Sequence, residues 1–402
     1  MVVSLALMTQ ASAGTIFPCP SCGAPEMAFD APSQQMKCPF CGHAAAVPPQ
    51  QQAPAAPAPA QEGDAPAAEG EAPPAPAAPV GAQQERPLQE GLEQQAQQAG
   101  QGFGTPVQSM KCQTCGASVS FAGTEISKNC DFCGSQHVLQ QESQRRVITP
   151  QSLVPFGVDE ASAKQSFKNW LGALWFRPSD LKTKARLGAI NGVYIPYWTF
   201  DAQVHSQWRA EAGHHYYEKE AYTDANGQKA TRQVKKTRWE PAAGQRQDVH
   251  DDVLVVASQG LSRPIAHRLS TFDTSKLVPY DPQYLAGWRA EEYAVELPDA
   301  WQEAAKKIEQ EQYSRCANDV PGDTQRSLEV QNHFSGETFK HVLLPLWIAS
   351  YRYGDKPYQF LVNGQTGEIK GEAPYSWVKI ILFIAAIVAV IAGIVIAVKA
   401  GG

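Results

Sequence analysis

Residues 192–208 read GVYIPYWTFDAQVHSQW, and residues 342–351 read VLLPLWIASY. Both contain Val-x-x-Pro-x-Trp, at Val193, Pro196 and Trp198 and again at Val342, Pro345 and Trp347. Aromatic and β-branched residues at alternating spacing predict a strand in each case. Proline has no amide proton to give to a ladder, so it predicts an edge or a strand start at this point, while tryptophan brings a large apolar side chain. The duplication admits two readings: ordinary core strands, or a related pair framing an aromatic binding surface.

Working outward, residues 144–374 read as one mixed α+β domain with antiparallel strands. RVITPQSLVPFGV (146–158) is extended, and DEASAKQSFKNWLGAL (159–174) is a helix with Asp159 as N-cap and an apolar stripe of Phe167, Trp170, Leu171 and Leu174. Asn226-Gly227 in DANGQ predicts a hairpin turn. A second helix is expected over DAWQEAAKKIEQEQYSRCAN (299–318), and strands over 339–354 and 356–372 with a turn at Asn363-Gly364.

The chain has nine cysteines, and eight fall into four C-x-x-C pairs. Cys19, Cys22, Cys38 and Cys41 lie in 17–43; Cys112, Cys115, Cys130 and Cys133 lie in 108–140. Each pair forms a knuckle, and two knuckles complete a tetrahedral site, so the pattern predicts two zinc ribbons holding two Zn²⁺ ions. Iron suits a similar four-sulfur cage; zinc is preferred because it is the commoner occupant. A glycine follows each second cysteine, and the two modules read as a duplicated unit. Between them, 44–107 is almost wholly Ala, Pro, Gln, Gly and Glu, a composition that predicts a disordered linker and a first ribbon energetically separate from the rest. Residues 1–16 read as a flexible N-terminus: Ala11-Ser12-Ala13 imitates a signal-peptide cleavage site, but a basic n-region is missing.

The stretch Ile380 to Val398 is uninterrupted apolar sequence. At ~1.5 Å per residue it crosses most of a ~30 Å hydrocarbon core. Tyr375, Trp377, Lys379 and Lys399 flank it as interfacial anchors, so 377–399 is expected to be a single transmembrane helix and a tail anchor in the lipid bilayer. Zinc thiolates belong in a reducing compartment, which predicts the bulk of the chain in the cytoplasm at the inner membrane. The flanking lysines are too balanced to set the orientation.

The cysteine knuckles, the string Tyr194-Ile195-Pro196-Tyr197-Trp198-Thr199-Phe200-Asp201-Ala202, the segment from Leu344 to Tyr353, the turn from Asn363 to Glu368 and the closing apolar helix together resemble a family of bacterial membrane-tethered zinc-ribbon proteins. Its members are often labelled primosomal protein N′ or superfamily II helicase-like. The resemblance spans roughly 110–400 and implies ribbons, an α+β domain and one membrane helix.

The residues do not support a motor. A helicase needs a phosphate-cradling G-x-x-x-x-G-K-[ST] loop, yet no Gly-Lys dipeptide occurs, and DEAS at 159–162 is explained by a helix cap. Net charge is −6, and eight thiolates around two zinc ions bring it to roughly −10, which disfavours nucleic acid. The basic stretch KATRQVKKTRW (229–239) places Arg232, Lys236 and Arg238 on one strand face, read as a solvated hairpin arm or a contact for anionic lipid. His214-His215 and His250-Asp251-Asp252 lack a metalloenzyme register, and Cys316 lacks a base partner, so no catalytic residues are expected. The expected function is a membrane-anchored cytoplasmic adaptor that binds other membrane-associated or cytoplasmic proteins; the alternative is a membrane-associated nucleic-acid-binding protein.

Overall fold

The computed structural model describes residues 17–47, 85–97, 108–121, 130–133, 135, 138–142, 148–181, 186–223, 228–261, 263–269, 272–354 and 356–400. The expected flexible N-terminus (1–16), most of the linker and the Asn226-Gly227 turn lie outside them. Strands β1 (Ala28–Asp30), β2 (Gln35–Lys37) and β3 (Ala44–Ala46) form one small antiparallel sheet. A twelve-stranded sheet contains β4 (Arg86–Pro87), β5 (Gln108–Cys112), β6 (Ser118–Phe121), β7 (Val138–Glu142), β8 (Ser152–Leu153), β9 (Arg186–Thr223), β10 (Lys229–Val256), β11 (Val278–Pro279), β12 (Arg289–Glu291), β13 (Thr324–Tyr353), β14 (Lys356–Asn363) and β15 (Ile369–Gly371). The helices are α1 (Leu88–Gln97), α2 (Glu160–Ala173), α3 (Arg263–Arg268), α4 (Leu297–Asp319) and α5 (Trp377–Ala400). The class is α+β, as the sequence predicts.

The two Val-x-x-Pro-x-Trp copies are hydrogen-bonded neighbours. Val193 opposes Leu346, Tyr194 opposes Pro345 and Pro196 opposes Leu343 in the antiparallel β9–β13 ladder. Neither proline sits at an edge or a strand start. On the other side of β9, β12 pairs at Val193 and Tyr194 and β10 begins opposite Tyr197, so Pro196 falls between successive partners. Pro345 likewise falls between β8, which pairs through Leu343, and β14, which begins at Leu346. A missing amide proton costs nothing where no ladder partner is waiting. Tyr194, Tyr197 and Trp198 are fully buried. They are core, and the aromatic-surface reading is not what the structure shows.

One layer of core lies against α3 and the second ribbon, centred on Val193, Ile195, Tyr197 and Leu344. The other lies under α2, where Phe167 stacks on Phe360 and Trp347 donates to the Val158 carbonyl. The Asp159 carboxylate accepts from the Ser162 amide, and Ala163, Phe167 and Leu171 are buried at i, i+4 and i+8.

Beyond Asp201 the sheet changes character. Both neighbours of β9 lose register there, β10 between His250 and Val253 and β13 between Ser335 and Thr338. Asp201 bridges the two irregularities, accepting from the Asp252 amide (2.6 Å) and the Thr338 hydroxyl (2.7 Å). Past this clamp β10, β9 and β13 run on as a three-stranded arm. Helix α4 lies along one face, burying Ala300, Ala304, Ile308, Gln312 and Cys316 at helical spacing. Cys316 is packed with Trp208 and Ala210, as a core thiol should be.

The linker reading needs correction within 44–107. Ala44–Ala46 is β3, and residues 85–97 form β4 and α1 on the main domain. Leu88 joins Phe339, Leu297 and Ala300 in one cluster, and Gly91 lies so close to the Phe339 ring and Leu297 that a Cβ could not fit. A few apolar residues at helical spacing suffice once a groove is present; composition averaged over the segment hides them.

The first ribbon is not separate either. The Phe29 amide donates to the Ala286 carbonyl (3.0 Å), the Trp288 indole donates to the Phe29 carbonyl (3.0 Å), and the Gln34 amide group donates to the Phe156 carbonyl (2.6 Å). Met27, Phe29 and Met36 close over Ala286. Trp288 in turn stacks on Phe156 within the main core.

Candidate metal centres

All four knuckles close the same way. The amides of Cys19, Cys38, Cys112 and Cys130 donate to the carbonyls of Ala24, His43, Ala117 and Ser135, each five residues on. Gly23, Gly42 and Gly116 follow their knuckles at φ of +71°, +73° and +81°, where a side chain would be strained. Each glycine amide returns to the first cysteine carbonyl of its knuckle.

Each turn aims two thiols at one point, and the paired turns bring four together. Sulfur separations are 3.6 Å for Cys19–Cys41 and 3.7 Å for Cys22–Cys38 in the first ribbon. In the second they are 3.7 Å for Cys112–Cys133 and 3.6 Å for Cys115–Cys130. Disulfide sulfurs would be about 2.05 Å apart. A tetrahedron with Zn–S of about 2.3 Å has edges of about 3.8 Å. The eight predicted ligands therefore fall into the two predicted sets, compatible with two zinc ions.

The protonation balance points the same way. The backbone amide of Cys41 leads in pulling the Cys38 thiol down to about 7. Hydrogen bonding from Cys115 leads in pulling Cys130 down to about 5. That same contact pushes Cys115 up, and burial pushes Cys133 up to about 11. Four crowded thiols share their protons unequally, and full ionisation of the set needs a cation in the middle. Four thiolates fill a tetrahedron, so such a site has no open position for substrate.

The second ribbon is built into the large sheet: β6 pairs with β12, and Asp131 forms a close ion pair with Arg289. Arg289 and Trp288 are consecutive, so the short segment before and within β12 carries both ribbons.

A third group of ionisable side chains, Glu85, Asp201 and Asp251, gathers at the Asp201 clamp. Lys340, 1% exposed, already supplies the positive charge there, with Nζ 2.8 Å from Asp252 and 3.2 Å from Glu85. Burial works to lower this lysine, but the hydrogen bond and charge of Asp252, with Asp201 and Glu85 beyond, hold it above its usual range. Burial, then the Asp201 contact and the charge of Asp252, push Asp251 up to about 6. The cluster reads as a structural ion network that joins β4 to the sheet. The string His250-Asp251-Asp252 is thereby divided: His250 turns to Gln312 (3.0 Å), Asp251 to Asp201 and Asp252 to Lys340. His215 bonds Thr237 across the arm (3.0 Å). Lys340 and Glu85 lie 255 positions apart, so no local pattern announces their pairing.

The chain is similar to the uncharacterized protein YdjG of Bacillus subtilis, 24% identical over 327 residues that cover 68% of this chain and 92% of that protein. No family model matches the chain, and no solved structure does.

Proposed function

We propose that the protein is a membrane-anchored, non-catalytic adaptor whose two zinc ribbons are structural and whose bulk lies in the cytoplasm at the inner membrane. The carrying observation is that each four-cysteine set brings four sulfurs to one point and that both ribbons pack against the main domain, which supports reading them as parts of one recognition body. The membrane part rests on α5, an exposed apolar helix with mean hydropathy 3.0 over Trp377–Ile396. The motifs that resemble membrane-tethered zinc-ribbon proteins support the same reading. Exposed Tyr216 and Tyr222 on one face of the arm, with exposed Tyr217 on the other, offer aromatic groups of the kind protein partners use.

Nucleic acid is the weaker reading because the basic strand is largely neutralised in place. Lys236 pairs with Glu218 (2.7 Å) and Glu220 (3.3 Å), and Arg238 with Glu240 (2.8 Å). Proteins captured on the full chain in native-lipid discs should be lost from a variant with all three arm tyrosines changed to serine, while the variant keeps two zinc ions. Retention on DNA or RNA with a steep salt dependence would instead favour nucleic acid and overturn the adaptor.

A further inference from the structure

The connection after α2 carries Trp175, Phe176 and Arg177, and it is fastened to the start of α5. The Ser376 amide donates to the Phe176 carbonyl (2.8 Å), and Lys379 Nζ donates to the Trp175 carbonyl (3.3 Å). Arg177 lies 3.7 Å over the Tyr375 ring and also bonds the Ala373 carbonyl. Phe176 meets Phe383 edge to face, with ring centroids 5.2 Å apart. Trp175 nevertheless leaves 76% of its surface exposed.

Phe383 is the decisive residue. It lies six positions beyond Trp377, roughly 9 Å further along the helix axis. If Trp377 marks the interface, Phe383 is among the lipid tails, and a side chain touching it shares that depth. We propose that Trp175 and Phe176 form a second membrane contact, a wedge that enters the same leaflet as the first turns of α5. This rests on the reading that α5 spans a bilayer.

The occupant we assign to the exposed Trp175 face is lipid, because the next residue, Phe176, lies against the apolar surface of α5 at Phe383 and the Trp175 carbonyl is held by Lys379 of the same helix. Tryptophan suits that position: an apolar body with one indole donor is the usual residue at the tail–headgroup boundary. Arg177 and Lys379 then sit where long cationic side chains reach for headgroups. Two contacts instead of one also fix the rotation and tilt of α5, which a lone helix leaves to its surroundings. The α+β domain, and both ribbons with it, would be held at a set angle to the membrane.

The test uses the full chain, reconstituted into phosphatidylcholine–phosphatidylglycerol vesicles, with photoreactive benzoylphenylalanine placed singly at position 175 or 387. Irradiation followed by mass analysis of peptides reads lipid adducts. Adducts at both positions, with the yield at 175 within about tenfold of that at 387, are expected. Adducts at 387 without any at 175 would overturn the wedge while leaving α5 in the membrane. A protein–protein crosslink from 175 in place of lipid would also overturn it, assigning the face to a second copy or another protein. No lipid adduct at 387 would remove the spanning reading and the wedge together.

Discussion

The two ribbons share their knuckle geometry and differ in how the rest of the chain receives them. In the second knuckle of each, Phe occupies the same place: Phe40 in Cys38-Pro-Phe-Cys41 and Phe132 in Cys130-Asp-Phe-Cys133. Phe132 is 1% exposed and packs against Gly260 inside the main core, whereas Phe40 is 76% exposed. The second ribbon gives its strands to the twelve-stranded sheet; the first keeps its own sheet and docks through Phe29, Gln34 and Trp288. A metal knuckle therefore specifies a local shape, and its coupling to the whole depends on which face finds a partner.

The sharpest way to break this comparison is to remove one ligand from each ribbon. Cys115→Ser and Cys22→Ser should each lower the metal content from two zinc ions to one. Cys115→Ser should also lower the unfolding midpoint by about 10–20 °C, because losing the packing around Phe132 and the β6–β12 pairing costs on the order of 5 kcal/mol. Cys22→Ser should lower it by roughly half as much. Elemental analysis and thermal scans of the same samples provide the check, and equal shifts would show that the ribbons are equally integrated.

The paired phenylalanines isolate packing from ligation. Phe132→Ala should cost about 3–5 kcal/mol, the usual loss for a buried aromatic, while Phe40→Ala should stay within about 0.5 kcal/mol. Chemical denaturation of zinc-loaded protein measures both. A large loss at Phe40 would mean that its face is covered in the folded chain.

The smallest effect should appear outside both ribbons and calibrate them. Asp251 is held near 6, above its unfolded value of about 3.9, so its charge opposes folding at neutral pH. That cost is fully present above about pH 6 and vanishes as pH falls toward 4. Asp251→Asn should raise the midpoint by a degree or two at pH 7.5 and leave it unchanged near pH 4. A gain that persists at pH 4 would place its origin elsewhere.

What the sequence determined by itself was local. C-x-x-C spacing set the eight sulfurs into two sets, the apolar run set α5, capping and periodicity set α2, and the stretch 299–318 marked α4, because each signal lies within a few turns of chain. The Val-x-x-Pro-x-Trp parts of β9 and β13, within 192–208 and 339–353, were readable for the same reason; their long continuations into the arm were not. Tertiary structure alone decided that Pro196 and Pro345 fall between successive strand partners, that residues 85–97 dock, and that Lys340 meets Glu85 and Asp252. It also decided which knuckle phenylalanine is buried. These outcomes depend on surfaces brought together from distant parts of the chain, where complementarity of shape and charge exists only after the sheet has formed.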